Sequence, residues 1–220
     1  WYLTDTEVNT TAHKLAKATH TLLPESWEGS LKATHTYPGI LPQAYVPLNS
    51  SAWGSAKGQV QRQLGLSEDD LVVFNRKLTG DGIHDTLEII NYEQSIRKMD
   101  VHFVENKEST AATDGSAWEL PVQATLFDGV LTGSTTLAAE AVVQGVPTLL
   151  ISKAKRGFLT YLSDQPHFFH WNEDDLFDGR FNEMASEWMG MMRSMRSTGR
   201  TPVIDKTKSV LNELFGQPVP

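Results

Sequence analysis

Apolar and polar positions in this chain fall into short blocks, and the clearest block runs from Phe127 to Ser152, FDGVLTGSTTLAAEAVVQGVPTLLIS. Gly129 to Thr132 is a β-prone run that ends at Gly133-Ser134. Ser134 or Thr135 can cap a helix, and Leu137, Ala138, Ala141 and Val142 give that helix an apolar face. Gly145-Val146-Pro147 stops it, because glycine suits a helix end and proline cannot continue one. Thr148 to Ile151 is the next strand. The block predicts a βαβ unit with its polar turn at the carboxyl end of a strand. Parallel sheets bind ligands at that edge, and a helix N-terminus presents unpaired N–H groups to an anion.

The same alternation extends on both sides. Residues 55–65 suit a short helix ending at Gly65-Leu66, and Leu71 to Asn75 (LVVFN) is a buried-type strand. A polar loop from Arg76 to Gly82 and a helix from about Asp85 to Lys98 follow. Val101 to Val104 is the next strand, 107–119 is polar loop, and Pro121 to Phe127 leads into the block described first. Phe158 to Leu162 forms a helical turn, Pro166 to Trp171 a final strand or loop, and 180–196 and 205–215 are helical. Strands alternating with helices predict an α/β fold: a Rossmann-like parallel sheet with helices on both faces and right-handed crossovers.

Residues 1–48 break this rhythm. Thr4-Asp5-Thr6-Glu7 opens a helix that 8–18 continue, with acidic groups near its positive end. Thr19 to Leu23 is β-prone and stops at Pro24. Tyr37 to Pro42 reads as an extended connector, since each proline disfavours helix in the residue before it. The chain therefore divides into 1–48, the end of one lobe and a hinge, and 49–220, a Rossmann-like domain. The first residue is Trp1 rather than methionine, so a processed product or a piece of a longer protein is expected.

Composition narrows the function classes. The 220 residues, 40% hydrophobic, suffice for one sizeable core or a core with a partial second lobe. A net charge of −8 argues against a general nucleic-acid or acidic-membrane surface. The absence of cysteine excludes disulfides and thiolate chemistry and fits a reducing, cytoplasmic compartment. No apolar run approaches the roughly 18–20 residues that span a bilayer, and no signal-peptide pattern opens the chain.

Three segments are candidates for chemistry. In the first, the hydroxyls and N–H groups of Gly133-Ser134-Thr135-Thr136 can hold a diphosphate without lysine. Glu140, about one and a half turns into the helix, can accept ribose hydroxyls. Against this stands a plain N-cap with a solvated glutamate. The second, Arg76 to His84 (RKLTGDGIH), follows a strand and belongs at the same edge. Arg76 or Lys77 can neutralise phosphate, and His84-Asp85 can serve acid/base work or simply start a helix. In the third, Lys153, Lys155 and Arg156 follow a strand end and can meet a phosphate, or remain a solvated loop. His167, His170 and Trp171 lack metal-ligand spacing and read as core or interface. Met184, Trp188, Met191, Met192 and Met195 recur at near-helical spacing and read as a core face.

The run GSTTLAAEAVVQGVP resembles the signature helix in the C-terminal domain of GT-B-fold proteins, a group that includes nucleotide-sugar glycosyltransferases and the non-hydrolysing UDP-N-acetylglucosamine 2-epimerases. The epimerases carry a Ser-Gly-Gly turn, a Glu-Glu-Ala step and a Gly-Lys-Pro stop. Here the turn is Ser134, Thr135 and Thr136, the step Ala139-Glu140-Ala141, and the stop Gly145-Val146-Pro147. The double glycine is thus two threonines, and the first glutamate is alanine. In patches the chain is also similar to a GT-B-like archaeal and bacterial family of unestablished activity, at Asp5-Thr6-Glu7, Tyr37-Pro38-Gly39, Ala44-Tyr45, His84-Asp85 and Arg156-Gly157. Members of that family are longer, with a whole N-terminal lobe first.

The resemblance implies diphosphate binding by Ser134, Thr135 and Thr136 and ribose binding by Glu140; Gly133 of the same turn, and Arg76 and Arg156 at strand ends, are the further nucleotide-sugar contacts expected from the residues themselves. It implies a glycosyltransferase that uses a nucleotide sugar, most simply a UDP-sugar, with no obligatory metal and with His84 and Asp85 as the local acid/base candidates. The alternatives are a 2-epimerase-like enzyme and a non-catalytic nucleotide-binding or assembly module. The partners it implies are the nucleotide sugar, the remaining N-terminal lobe or a chain that supplies it, and, as an open alternative, a second copy of the chain.

Overall fold

The computed structural model describes residues 2–5, 18–48, 53–78, 92–107, 119–172, 180–204 and 206–216. The larger of its two sheets is parallel throughout and contains β4 (Val72–Lys77), β5 (His102–Lys107), β6 (Gly129–Thr132), β7 (Thr148–Ile151) and β8 (Phe168–Trp171). The strands lie in the order β5-β4-β6-β7-β8. In chain order this is 2-1-3-4-5, a doubly wound arrangement whose order reverses between β4 and β6. The Rossmann-like α/β class expected from the alternation is the one observed.

Both faces of the sheet are covered, which is why its strands read as near-continuous apolar runs. On one face Val73, Leu131, Leu149, Ile151 and Trp171 pack against α3 (Glu93–Ile96) and α7 (Phe181–Thr198). On the other, Val72, Phe74, Val130 and Leu150 meet α4 (Leu120–Ala124), α5 (Thr135–Val143) and α6 (Gly157–Ser163). Phe181, Ala185, Trp188 and Met192 are the buried stripe of α7 at helical spacing; of the methionine-rich pattern, Trp188, Met192 and Met184 face the core, whereas Met191 and Met195 are half-buried at its margin. Gly129 permits that approach: a Cβ there would stand 2.5 Å from the Met192 sulfur.

A second, smaller parallel sheet joins β1 (Tyr2–Leu3), β2 (Thr21–Pro24) and β3 (His35–Tyr37) in that order. The chain then bends into α1 (Pro42–Tyr45), and α2 (Trp53–Leu64) leads to the larger sheet. α8 (Thr207–Phe215) returns to the small sheet, where Leu211 packs with Leu22, Tyr37 and Ala44. Among the described residues no helix is long and apolar enough to cross a membrane.

Several boundaries differ from expectation. β4 runs through Arg76 and Lys77, which the pattern assigned to a polar loop. Parallel pairing to both β5 and β6 outweighs their low strand preference. Pro121 sits at the start of helix α4 rather than in a lead to a strand, because its fixed φ suits a first helical turn. The segment 37–42, read as a connector, does join two elements, from the last residue of β3 to the first of α1. Of the helix expected over 85–98, the described part is Glu93–Ile96.

Candidate functional site

The turn Gly133–Thr136 lies where β6 ends, at the point where the strand order reverses. A Cβ on Gly133 would come 2.9 Å from Leu78 Cδ1, so this turn and the loop after β4 touch across the switch point. There the helices that follow β4 and β6 pack on opposite faces of the sheet, the arrangement in which doubly wound folds bind ligands.

The helix start is built from its own residues. Ser134 is extended, and its Oγ accepts the Leu137 N–H at 3.4 Å. The Ser134 N–H donates to Thr132 Oγ1 at 3.0 Å. Four N–H groups at a helix start lack intrahelical partners. Ser134 and Leu137 have found theirs, whereas the N–H groups of Thr135 and Thr136 meet no partner among the described residues. Two backbone donors and two threonine hydroxyls therefore remain at the positive end of a helix. Gly133 stands out as a packing glycine: it accommodates Leu78.

Glu140 is the sole charged residue in the sequence TTLAAEAVV of α5. Leu137, Ala138, Ala139, Ala141, Val142 and Val143 are buried, whereas Thr136 is exposed and Glu140 half-buried. Positions 136 and 140 share one helix face, and helical side chains tilt toward the N-terminus, so the carboxylate leans toward the turn. Its Oε1 accepts a hydrogen bond of 2.8 Å from the Tyr45 hydroxyl. Burial raises the Glu140 carboxyl to about 6, and the Tyr45 bond works the other way. Among the described residues no cation pairs with it.

The group that meets Glu140 comes from the part of the chain that carries the small sheet. Asp5 follows β1, Tyr37 ends β3 and Tyr45 ends α1. Burial raises the Asp5 carboxyl; burial and then the Asp5 charge raise Tyr37; burial, then the charge and hydrogen bond of Glu140, and last the Asp5 charge raise Tyr45, so the phenols stay protonated. The Tyr37 hydroxyl is buried and meets no partner among the described residues. The loop after β2 presses on the start of α6: a Cβ on Gly157 would lie 1.8 Å from the Ser26 carbonyl oxygen, and Thr160 Oγ1 donates to Glu28 Oε1 at 3.2 Å. The carboxyl-end loops of the two sheets therefore meet at α5 and α6. Local spacing gives no hint of a site role for Tyr45, Tyr37 or Asp5: outside the patches of likeness, Asp5 reads only as part of a helix entry and Tyr37 as part of a connector.

The remaining candidates are spread along the same edge. Arg76 is paired in register with Thr132, and its guanidinium donates to Asn106 Oδ1 on β5. Lys77 Nζ is 2.6 Å from Glu105 Oε1. Arg156 precedes α6, in the loop after β7, half-exposed beside an exposed Lys155. His84 and Asp85 lie outside the described residues. His167 is buried, with Nε2 2.9 Å from the Val142 carbonyl, and His170 Nε2 is 2.9 Å from the Ser152 carbonyl, in keeping with packing roles. Among the described residues no group of three or more His, Asp or Glu side chains is arranged to hold a metal ion. Comparison with protein-family models, with curated proteins and with solved structures finds no match to this chain.

Proposed function

We propose that the turn Gly133–Thr136 and Glu140 form the donor half of a nucleotide-sugar site, and that the protein is a glycosyltransferase of GT-B type. The observation that carries this reading is the pairing on one helix face of two unpartnered N–H donors, at Thr135 and Thr136, with a half-buried carboxylate one turn below. A nucleoside diphosphate has the matching order of groups: an anion, then a ribose diol. The diphosphate accepts from the two N–H groups and the threonine hydroxyls. The ribose donates to Glu140. The resemblance of GSTTLAAEAVVQGVP to the GT-B helix agrees with this.

In such a transfer the bond between the anomeric carbon and the diphosphate breaks, and negative charge grows on the departing oxygen. Oriented N–H dipoles at a helix start stabilise that charge, and they do so without reorganising. The acceptor oxygen forms the new bond to the anomeric carbon as its hydroxyl proton passes to a base of the remaining lobe. Arg156 is the cation proposed nearest the sugar–phosphate end, since its loop follows the neighbouring strand. A UDP-sugar is the proposed donor.

The test is a titration of the protein with UDP, GDP and ADP, followed by calorimetry and thermal unfolding. Micromolar binding of at least one diphosphate, lost in Glu140→Ala, is the expected result. A folded protein that binds none of them sinks the reading and favours a module without nucleotide chemistry. Incubation with the cognate nucleotide sugar then separates transfer, which releases the diphosphate, from epimerisation, which retains it.

A further inference from the structure

The Tyr45–Glu140 bond joins two groups that are each fixed from elsewhere. On the Tyr45 side, α1 is held by several bonds. The Ile40 N–H donates to Gln43 Oε1 at 2.8 Å, and Gln43 Nε2 donates to the Tyr161 hydroxyl at 3.0 Å and to the Val203 carbonyl at 3.3 Å. Ile40 and Val46, on either side of α1, are buried in one cluster with Ala138, Ala139 and Val142 of α5, and Tyr45 packs against that cluster. The phenol thus rests on backbone that is itself seated on the helix bearing Glu140. With the phenol protonated, the donor must be tyrosine and the acceptor carboxylate.

A free carboxylate turns readily about its last torsion and offers either oxygen. One held through Oε1 keeps its plane and presents Oε2 in a set direction. Buried acceptors with a fixed direction discriminate strongly against a ligand that lacks the matching donor, because the acceptor is then left desolvated and unpaired.

We propose that Tyr45 is a positioning and specificity residue of the ligand site: by holding Glu140 Oε1 it presents Oε2 to a ribose hydroxyl and makes the site select ribonucleotides over deoxyribonucleotides. The inference rests on the nucleotide reading above. Tyr45 touches no ligand atom in this scheme; it acts through Glu140.

The experiment measures the affinity of UDP and of 2′,3′-dideoxy-UDP for the 220-residue chain, its Tyr45→Phe and Glu140→Gln variants and the double variant. Phenylalanine keeps the ring and removes the donor. UDP affinity should fall on the order of tenfold in Tyr45→Phe, as for loss of one hydrogen bond to a charged group. Dideoxy-UDP affinity should not change. The double variant should bind UDP no more weakly than Glu140→Gln alone. The pH at which UDP binding fails on acidification should also rise in Tyr45→Phe, since the bond that favours the carboxylate is gone. A Tyr45→Phe protein that binds UDP as wild type does, or loses both ligands equally, overturns the inference and leaves the nucleotide reading standing. A wild-type protein that binds neither ligand overturns the inference, and one that also binds neither GDP nor ADP overturns the nucleotide reading with it.

Discussion

Glu140 costs the fold something that a merely structural residue would not. It is a carboxylate placed among alanines and valines, with one hydroxyl to answer it. The folded chain holds the Glu140 proton more tightly than an unfolded chain does. As pH rises from 4.5, the ordinary value, to about 6, the unfolded form releases a proton that the folded form still keeps, so this residue's contribution to stability declines across that window and levels off above it. Glu140→Gln retains an acceptor for Tyr45 and removes the charge. Its unfolding midpoint should therefore exceed that of wild type at pH 7.5 and match it near pH 4, by scanning calorimetry at both values. Nucleotide-induced stabilisation should vanish in the same variant. A midpoint lowered at pH 7.5 would mean that the carboxylate serves packing instead. Removal of a functional charge commonly stabilises a fold while it abolishes activity.

At the scale of elements, α5 is punctuated at both ends by its own sequence. Ser134 caps its start. At its close the Val146 N–H donates to the Ala141 carbonyl at 3.0 Å and the Gly145 N–H to the Val142 carbonyl at 2.8 Å, the paired bonds of a Schellman motif. Gly145 takes a φ of 76°, and a Cβ there would stand 2.6 Å from the Thr201 carbonyl oxygen. Gly145→Ala should lose more than about 2 kcal/mol in urea unfolding, from the left-handed backbone and the backbone clash together. The joint between α7 and the sheet is electrostatic as well as apolar. Asp128 is fully enclosed; its Oδ2 accepts the Val72 N–H at 2.8 Å and Arg196 Nη2 at 2.7 Å, and its Oδ1 accepts Arg196 Nε at 2.8 Å. Arg196 also donates to the Glu68 and Asp69 carbonyls at 2.9 and 2.8 Å. Asp128→Ala takes the counter-charge from a partly buried guanidinium, which keeps only carbonyl acceptors, and leaves the buried Val72 N–H unpaired, so a loss of about 3 kcal/mol is expected by the same measurement. Asp128 stands in the Phe127-Asp128-Gly129 run, where nothing local distinguishes it from a turn aspartate. The pairing partner is far along the chain.

Over the whole molecule the two parallel sheets bring their carboxyl-end loops together, and Gly157 is a tight point of contact. With no room for a Cβ beside Ser26, Gly157→Ala should push the loop after β2 away from α6. Hydrogen exchange should then quicken in β2 and β3 while β4, β6 and β7 stay protected. Unchanged exchange in β2 and β3 would show that Gly157 does not seat the small sheet. This contact also marks how far the sequence could be read. Local order was legible: LVVFN, GVLT and TLLI appear as strands because they are short apolar runs, and Ser134 and Gly145 bound α5 because capping chemistry is local. The alternation of strand and helix sufficed for the α/β class, since parallel strands need crossovers. What the local pattern could not reach was set by partners distant in sequence. β4 extends through Arg76 and Lys77 because β5 and β6 pair with it, and β1 exists because β2 lies beside it. Tyr45 meets Glu140 across 95 positions of chain. A helix cap is decided by neighbours within a turn, and the sequence states it alone. A hydroxyl set against a carboxylate from a distant part of the chain depends on how two sheets pack, and tertiary structure alone decides that.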